Sequence, residues 1–338
     1  MNDKSPDTKR ILLMQKSKKY FSLTLLAFLF LVIAGIIVSW HNDIPVEDLQ
    51  GKYLTQHSKF IEVKNTKVHY QEKGEGPTLV LIHGTASSSH TWEQWIEILS
   101  SDFRVIAPDL PGFGMTGPRL DGKYGESDML DLLDEFINKL AIDSLYLAGN
   151  SLGGFYTWKY AAQNPDKVKK MMVSNSLGYP SDKKKPLGFR LASSPVAPLL
   201  KKLTPRFLIE QTLKKSFVDE SLVDDKMVDR YFELLLREGN RKAYLKIMEQ
   251  RSTIDTNEIA NINIPTLVMW GVLDEVVPSV HAFKFYRDLP ISTLRLYPEV
   301  GHLPMEELPE ASAKDLRQFL LKPVEEKKDL QLIPRDLS

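Results

Sequence analysis

The chain contains no cysteine and has no excess of either charge, with 44 Lys and Arg against 44 Asp and Glu in 338 residues. Without cysteine, disulfides and thiolate metal sites are impossible. No cluster of histidine and aspartate has metal-ligand spacing, so we expect no metal and no cofactor. The balanced charge argues against nucleic acid as a partner. The length and the 43% hydrophobic content suffice for one large α/β core, and nothing in the sequence sets an oligomeric state.

One uncharged apolar run lies near the N-terminus. Residues 20–40 form 21 consecutive residues without a charge, and a helix rising about 1.5 Å per residue would span a hydrocarbon core of about 30 Å with them. Six basic residues against two acids precede this run in residues 1–19. Because basic flanks stay in the cytoplasm, we expect a single-pass transmembrane anchor with a cytoplasmic N-terminus. Everything after Trp40 would then be extracytoplasmic, or periplasmic in a Gram-negative source, with the lipid bilayer as a partner.

Two other interpretations compete with a permanent anchor. A cleaved signal peptide has a shorter apolar core, about 7–15 residues, and a small-x-small exit that residues 37–40 do not supply convincingly. A buried helix outside the globular core would have nothing to pack against. Tyr20 and Trp40, at the two ends of the run, suit an interfacial aromatic belt. We expect a polar connector at 41–59 and a solvated tail at 322–338.

A Gly-x-Ser-x-Gly motif lies where an apolar strand pattern gives way to a helical pattern. A serine hydroxyl becomes a useful nucleophile when a tight strand-to-helix turn exposes it to a histidine and to backbone N–H groups. Gly149 and Gly153 leave no Cβ to collide in such a turn. The pattern therefore predicts Ser151 as the nucleophile, although the motif alone arises by chance in roughly one chain in ten of this length.

An acid and a histidine follow Ser151 in the order expected when the nucleophile lies on such a strand-to-helix turn. Each of them lies in a loop after a later strand. Asp274 comes after the buried-strand run 265–270, and His302 comes after the alternating strand 292–297. Taken singly, either residue is explained as well by a solvated loop. The three roles in order predict a triad in which His302 accepts the serine proton and Asp274 holds the imidazole tautomer.

Four other residues compete for the acid and base roles. Asp109 precedes the serine in a turn-rich loop, which we expect to shape the site. Glu275 lies beside the predicted acid but is expected to point elsewhere. His281 falls inside a helical run, where a histidine on a helix face is the simpler interpretation. His83 ends an apolar strand, and we expect it to hold the following loop.

The oxyanion hole requires N–H groups that are fixed in place before the carbonyl oxygen becomes negative. In this architecture one comes from the residue after the nucleophile and another from the loop after an early strand. Those residues are Leu152 and Thr85, the latter directly after His83-Gly84.

Strand and helix patterns alternate along most of the chain. A leading antiparallel hairpin is predicted at 60–70. Further strands are predicted near 78–82, 103–107, 144–149, 168–174, 265–270 and 292–297, and helices near 90–100, 126–140, 152–163, 279–289 and 305–321. This alternation is typical of a mostly parallel, doubly wound α/β sheet, whose ligands bind at the carboxyl ends of the strands. The three triad positions all follow such an end.

Residues 178–262 break the alternation, because they contain no convincing strand. Apolar side chains recur there at helical spacing, at Val223, Met227, Tyr231, Leu234 and Leu235. We expect a helical cap that excludes water and shapes the pocket, inserted in a core made of 60–177 and 263–321. The Lys-, Pro- and Ser-rich stretch 180–186 is interpreted as a solvated loop or a mobile hinge.

Together these motifs resemble the α/β-hydrolase fold superfamily over about Phe60 to Leu321. The matching segments are 83–85, 109–114, 149–154, 270–271 with Asp274 and Pro278, and 301–302. Within the superfamily, the pattern is similar to cap-bearing esterases, haloperoxidase-like hydrolases and the carbon–carbon bond hydrolases of ring-fission products. Serine at 151 argues against the haloalkane dehalogenases and epoxide hydrolases of this fold, which use an aspartate nucleophile.

The triad and the resemblance imply a serine hydrolase that transfers the acyl group of a small-molecule ester to water. A carbon–carbon hydrolase is the first alternative, and its carboxylate-bearing substrate would need an arginine such as Arg190 facing Ser151. The second alternative is a membrane-tethered binding module without catalysis, which would not need all three triad residues.

Overall fold

The computed structural model of the chain describes residues 6–180, 201–250 and 254–323, together with Arg190, Ser194, Pro195 and Pro198. Most of the expected loop or hinge at 180–186 and of the expected tail at 322–338 lies outside the described residues. So does the start of the basic segment at 1–19.

A single mixed sheet organises the described part of the chain. Its strands are β1 (Ser58–Val63), β2 (Thr66–Lys73), β3 (Thr78–Ile82), β4 (Arg104–Pro108), β5 (Leu145–Asn150), β6 (Val168–Ser174), β7 (Thr266–Gly271) and β8 (Ser292–Tyr297). Their order is β1-β2-β4-β3-β5-β6-β7-β8. The leading hairpin pairs antiparallel with itself and with β4, and the remaining neighbours are parallel. The mostly parallel sheet is therefore as predicted.

The described helices lie on both faces of this sheet, before it, and in the chain between β6 and β7. They are α1 (Pro6–Ser39), α2 (Val46–Tyr53), α3 (Glu93–Leu99), α4 (Glu126–Lys139), α5 (Leu152–Gln163), α6 (Arg206–Lys214), α7 (Asp225–Leu236), α8 (Asn240–Glu249), α9 (Val280–Asp288), α10 (Pro304–Glu307) and α11 (Pro309–Leu321). The helix expected at 305–321 is divided, because Pro309 has no N–H to continue α10 and instead begins α11.

The alternation of side chains along β3 shows why both faces are covered. Val80 and Ile82 join the core that includes α4 and α5, whereas Leu79 and Leu81 join the core that includes α3 and α11. All four side chains are fully buried. Since successive residues of a strand point to opposite faces, a wholly apolar strand needs helices on both sides.

Between β6 and β7 the described chain contains α6, α7 and α8, and we refer to residues 201–250 as the helical insertion. The start of α7 is capped by Asp224, whose carboxylate accepts a hydrogen bond of 2.8 Å from the Met227 N–H. The helical spacing recognised in the sequence belongs to α7, which packs against α6 and α8.

Helix α1 contains the stretch Lys19–Ser39, which is long and apolar enough by length and composition to cross a membrane. A signal sequence at this position would meet the same criteria. Large apolar side chains of this stretch are exposed, among them Phe21 and Phe30, with about 70% of each accessible. The described residues of the protein therefore provide no apolar cover for them.

The segment 41–59, expected to be a polar connector, is more ordered than its sequence indicates. It contains α2, and it leads into β1. Leu49 and Tyr53, one helical turn apart, are buried against Met115 and Leu234 in a small separate core. A helix of eight residues offers only this single apolar repeat, which is too short a pattern to distinguish from a loop.

Candidate active site

Ser151 lies in a strained turn between β5 and α5. Its φ of 55° and ψ of −117° are unfavourable for a residue with a side chain. A Cβ at Gly149 would approach the Gly153 carbonyl oxygen to 2.3 Å, and a Cβ at Gly153 would approach the Ile82 carbonyl oxygen to 2.1 Å. The turn therefore requires glycine on both sides of the serine, as the motif predicts.

Ser151 and His302 line the same cavity, which has a volume of about 180 Å³. The strand-end loops supply Gly84, Thr85, Ala86, Ser87, Asn150, Ser151, His302 and Leu303. The helical insertion supplies the rest, including Leu203, Leu208, Ile209, Leu213, Leu235 and Leu245. In the described part of the chain the Ser151 hydroxyl makes no hydrogen bond to the His302 ring. Such bonds commonly tighten only once substrate is bound.

His302 is positioned by a contact between its ring and the Asp274 carboxylate. The His302 Nδ1 atom lies 2.8 Å from Asp274 Oδ2, and both side chains are buried. The other carboxylate oxygen accepts hydrogen bonds from the N–H groups of Val276 and Val277, at 2.6 and 2.9 Å. A carboxylate oxygen accepts the hydrogen bond here, so Nδ1 is the donor, and in a neutral imidazole Nε2 is then the acceptor.

Asn175, directly after β6, is a site residue that the sequence analysis missed. Its Nδ2 group donates to Asp274 Oδ2 at 2.7 Å and to the Gly301 carbonyl at 3.2 Å. Its φ of 46° is left-handed, which asparagine tolerates better than most residues. One side chain thus connects the loop that carries the acid with the loop that carries the histidine. The sequence feature that could have identified Asn175 is its position as a polar residue at the carboxyl end of the buried strand β6.

The His302 loop is also fixed from the sheet and from the helical insertion. Asn150 Nδ2 donates to the His302 carbonyl at 3.0 Å, and the His302 N–H donates to the Ser216 carbonyl at 2.7 Å. Glu307 accepts the Gly301 N–H at 2.7 Å. The position of the imidazole therefore depends on the insertion as well as on the sheet.

Two backbone N–H groups remain available beside Ser151. Leu152 is the first residue of α5, where helical N–H groups have no partner within the helix. Thr85 lines the cavity in the loop after β3. In the segments that the structure describes, neither N–H donates a hydrogen bond to the protein. Neither predicted oxyanion donor is therefore committed to a backbone or side-chain acceptor in those segments.

The competing residues lie elsewhere among the described residues. Asp109 pairs with His69 at 2.8 Å; burial alone would raise the pKa of Asp109, but the charge and hydrogen bond of His69 hold it well below its usual range. Burial lowers the pKa of His83, whose Nε2 accepts the Leu110 N–H at 2.8 Å.

Glu275 is exposed and His281 packs edge-on against the Tyr179 ring. His69 itself carried no signal in the sequence analysis.

The cavity wall carries little uncompensated charge. The Tyr231 hydroxyl donates to Glu306 at 2.7 Å; burial, and then the charge of Glu306, raise the Tyr231 pKa well above its usual range, so the phenol stays neutral. Arg241 also lines the cavity but is hydrogen-bonded to Asp43. Arg190 is exposed and is not among the residues lining the cavity.

Comparison with known proteins agrees with this architecture. A family model described as the alpha/beta hydrolase fold matches residues 77–309. The chain therefore belongs to the α/β-hydrolase fold family, and the resemblance noted in the sequence is confirmed.

Several of the similar proteins are named as hydrolases. The chain is 28% identical over 257 residues to the uncharacterized hydrolase YugF of Bacillus subtilis, covering 75% of this chain and 92% of that protein. It is 29% identical over 275 residues to the 2-hydroxy-6-oxo-6-(2'-aminophenyl)hexa-2,4-dienoic acid hydrolase of Metapseudomonas resinovorans, covering 78% of this chain and 90% of that protein. The solved structure of a serine hydrolase involved in carbazole degradation matches with a TM-score of 0.68 and 28% identity, over 78% of this chain and 98% of that chain.

Proposed function

We propose that the protein is a serine hydrolase that cleaves carboxylic esters with Ser151, His302 and Asp274. The observation that carries this proposal is the strained serine turn opening into the same cavity as His302, whose other nitrogen is bound to a buried carboxylate. His302 Nε2 takes the proton of Ser151 as the hydroxyl attacks the ester carbonyl. The Thr85 and Leu152 N–H groups then bind the oxyanion.

Water completes the reaction in the proposed mechanism. Collapse of the tetrahedral intermediate transfers the proton from His302 to the departing alcohol and leaves an acyl group on Ser151. Water then attacks this acyl-enzyme with His302 again as the base, and the acid is released. The helical insertion acts as a cap that keeps bulk water from the acyl group, since it supplies the apolar part of the cavity wall.

The low charge of the cavity favours an uncharged acyl chain. The Arg241 cation is paired with Asp43, and Tyr231 is neutral. We expect hydrolysis of p-nitrophenyl esters with short to medium acyl chains by the detergent-solubilised full chain, at rates above those for a ring-fission dienoate. Spectrophotometric assays of both substrate classes give the comparison. Turnover of the dienoate with none of the esters would reverse the assignment.

A carbon–carbon hydrolase is the second candidate. The support for it is the likeness, at 29% identity, to a dienoic acid hydrolase. Its substrate would bring a carboxylate into the cavity, and Arg241 is the arginine that lines the cavity within the described residues. The loop at 85–89, poorer in glycine and proline than in enzymes of that class, and the existing pairing of Arg241 favour the ester.

We also propose that α1 anchors the protein in a bilayer, with its N-terminus in the cytoplasm and the catalytic domain on the other side. The apolar stretch Lys19–Ser39, its exposed side chains and its basic flank support this. The full chain is expected to remain in the membrane fraction after extraction with alkaline carbonate. A tag at the C-terminus is expected to be cleaved by a protease added to the extracytoplasmic side. Release by carbonate, or a mature chain beginning near residue 40, would contradict the anchor.

A further inference from the structure

Arg241 is a buried cation in the cavity wall, and its partners come from outside the catalytic core. Only 4% of the side chain is exposed. Its Nε group lies 3.1 Å from Asp43 Oδ1, and an Nη group also donates to the same oxygen. The same nitrogen, Nη2, also donates to the His41 carbonyl at 2.9 Å, and Nη1 donates to Thr204 Oγ1 at 3.2 Å. Asp43 supplies the carboxylate, and it lies in the segment that joins α1 to α2.

Asp43 acts on the cavity without lining it. Arg241 and Thr204 line the cavity, whereas Asp43 is not a lining residue and forms an ion pair with Arg241. A buried cation without a counter-ion is strongly destabilised, and it would attract any anion that entered the cavity. The negative charge of Asp43 removes that attraction, while the carbonyl of His41 and the hydroxyl of Thr204 satisfy remaining N–H groups.

The segment that carries Asp43 is fixed to the helical insertion by the main chain on both sides. The His41 N–H donates to the Lys202 carbonyl at 2.9 Å, and the Thr204 N–H donates to the Ser39 carbonyl at 2.8 Å. Beyond Asp43, the Ile44 N–H donates to the Leu236 carbonyl at 2.8 Å. A change confined to the Asp43 side chain therefore leaves its backbone in place.

From this arrangement we infer that Asp43 determines substrate specificity by neutralising Arg241, so that the site accepts uncharged acyl chains and rejects chains ending in a carboxylate. The segment next to the apolar helix is then part of the specificity machinery. The inference rests on the proposed ester hydrolysis and adds to it the residue pair that selects the charge of the substrate.

The test is Asp43→Asn in the full chain, in detergent. Asparagine keeps an oxygen that can accept from Arg241 and removes the negative charge with almost no change in size. The substrates are p-nitrophenyl butyrate and the mono-p-nitrophenyl ester of glutaric acid. We expect the ratio of kcat/KM for the anionic ester to that for the neutral ester to rise about tenfold, because Arg241 now attracts the carboxylate in a site of low effective dielectric. Added salt should reduce the gain.

Two further variants test whether the change in the kcat/KM ratio depends on the Asp43–Arg241 pair. Asp48→Asn removes a neighbouring acid whose side chain has no partner among the described residues, and it should leave the ratio as in the wild type. The double variant Asp43→Asn with Arg241→Met should return the ratio to the wild-type value, since no cation remains. An unchanged ratio in Asp43→Asn, or a rise that persists in the double variant, would overturn the inference.

Binding measured without turnover separates this inference from the proposed reaction. Calorimetric titration with octanoate and with octanol should show that Asp43→Asn gains affinity for the anion only. If the wild type hydrolyses neither ester, the proposed function fails, and these titrations still decide the role of Asp43. Equal octanoate affinities in the wild type and Asp43→Asn would then refute it.

Discussion

Ser151→Ala is expected to lower kcat for ester hydrolysis by about four to six orders of magnitude, as is typical when the nucleophile of a triad is removed. The hydroxyl is the only part of the side chain lost, so the strained turn and the cavity should persist. Alanine meets the same restriction at a positive φ as serine does, and thermal unfolding should remain close to that of the wild type. Steady-state kinetics with p-nitrophenyl butyrate, together with a melting curve, measure both effects.

Ser87→Ala is the matched control for this loss. Ser87 lines the same cavity, and its hydroxyl lies 3.4 Å from that of Tyr231, but it has no part in the proposed mechanism. Its removal should change kcat by less than about tenfold, since a single neutral hydrogen bond contributes only about 0.5–1.5 kcal/mol. Similar losses in both variants would show that Ser151 is one polar wall residue among several.

Asp274→Asn should lower kcat by about four orders of magnitude, the cost of giving the triad histidine the wrong tautomer. The buried carboxylate accepts hydrogen bonds through both oxygens, from His302 and Asn175 on one side and from the N–H of Val276 on the other. An amide at this position must turn its NH₂ group toward one of these sets of donors. We therefore expect lower stability as well as lower kcat.

Asn175→Ala tests how much the position of the Asp274 carboxylate contributes to kcat, apart from its negative charge. It leaves the carboxylate in place and removes the bond of 2.7 Å to Asp274 Oδ2. A hydrogen bond to a charged group contributes about 1.5–3 kcal/mol, so we expect kcat to fall roughly ten- to hundredfold with KM little changed. An Asp274→Asn enzyme within tenfold of the wild type would remove the acid from the mechanism, whatever the Asn175 variant does.

The layered fold could be predicted from the sequence because its causes are local. The side chains of β3 alternate between two cores, and the apolar spacing of α7 repeats every third or fourth residue, so each element carries its own pattern. Glycines around Ser151, and an acid and a histidine after later strands, are similarly visible along the chain. The structure brings Ser151 and His302 to one cavity and His302 to Asp274.

Other parts of the site depend on contacts between distant segments. Arg241 and Asp43 are 198 residues apart, and each alone is an ordinary charged residue. Asn175 acquires its role only because β6 and β7 are neighbours and place it beside Asp274, 99 residues later. The buried face of α2 consists of two side chains that require a partner surface on α7. Such contacts between distant residues produce no periodic pattern in the sequence.

Labelling with a fluorophosphonate probe, followed by peptide mass spectrometry, tests the proposed nucleophile most directly. An activated serine attacks the phosphorus and displaces fluoride, so the full chain should carry one adduct on the peptide that contains Ser151. Asp274→Asn should label far more slowly, and Ser151→Ala should not label. Absence of an adduct on the wild type, or an adduct on another serine that persists in Ser151→Ala, would contradict Ser151 as the nucleophile.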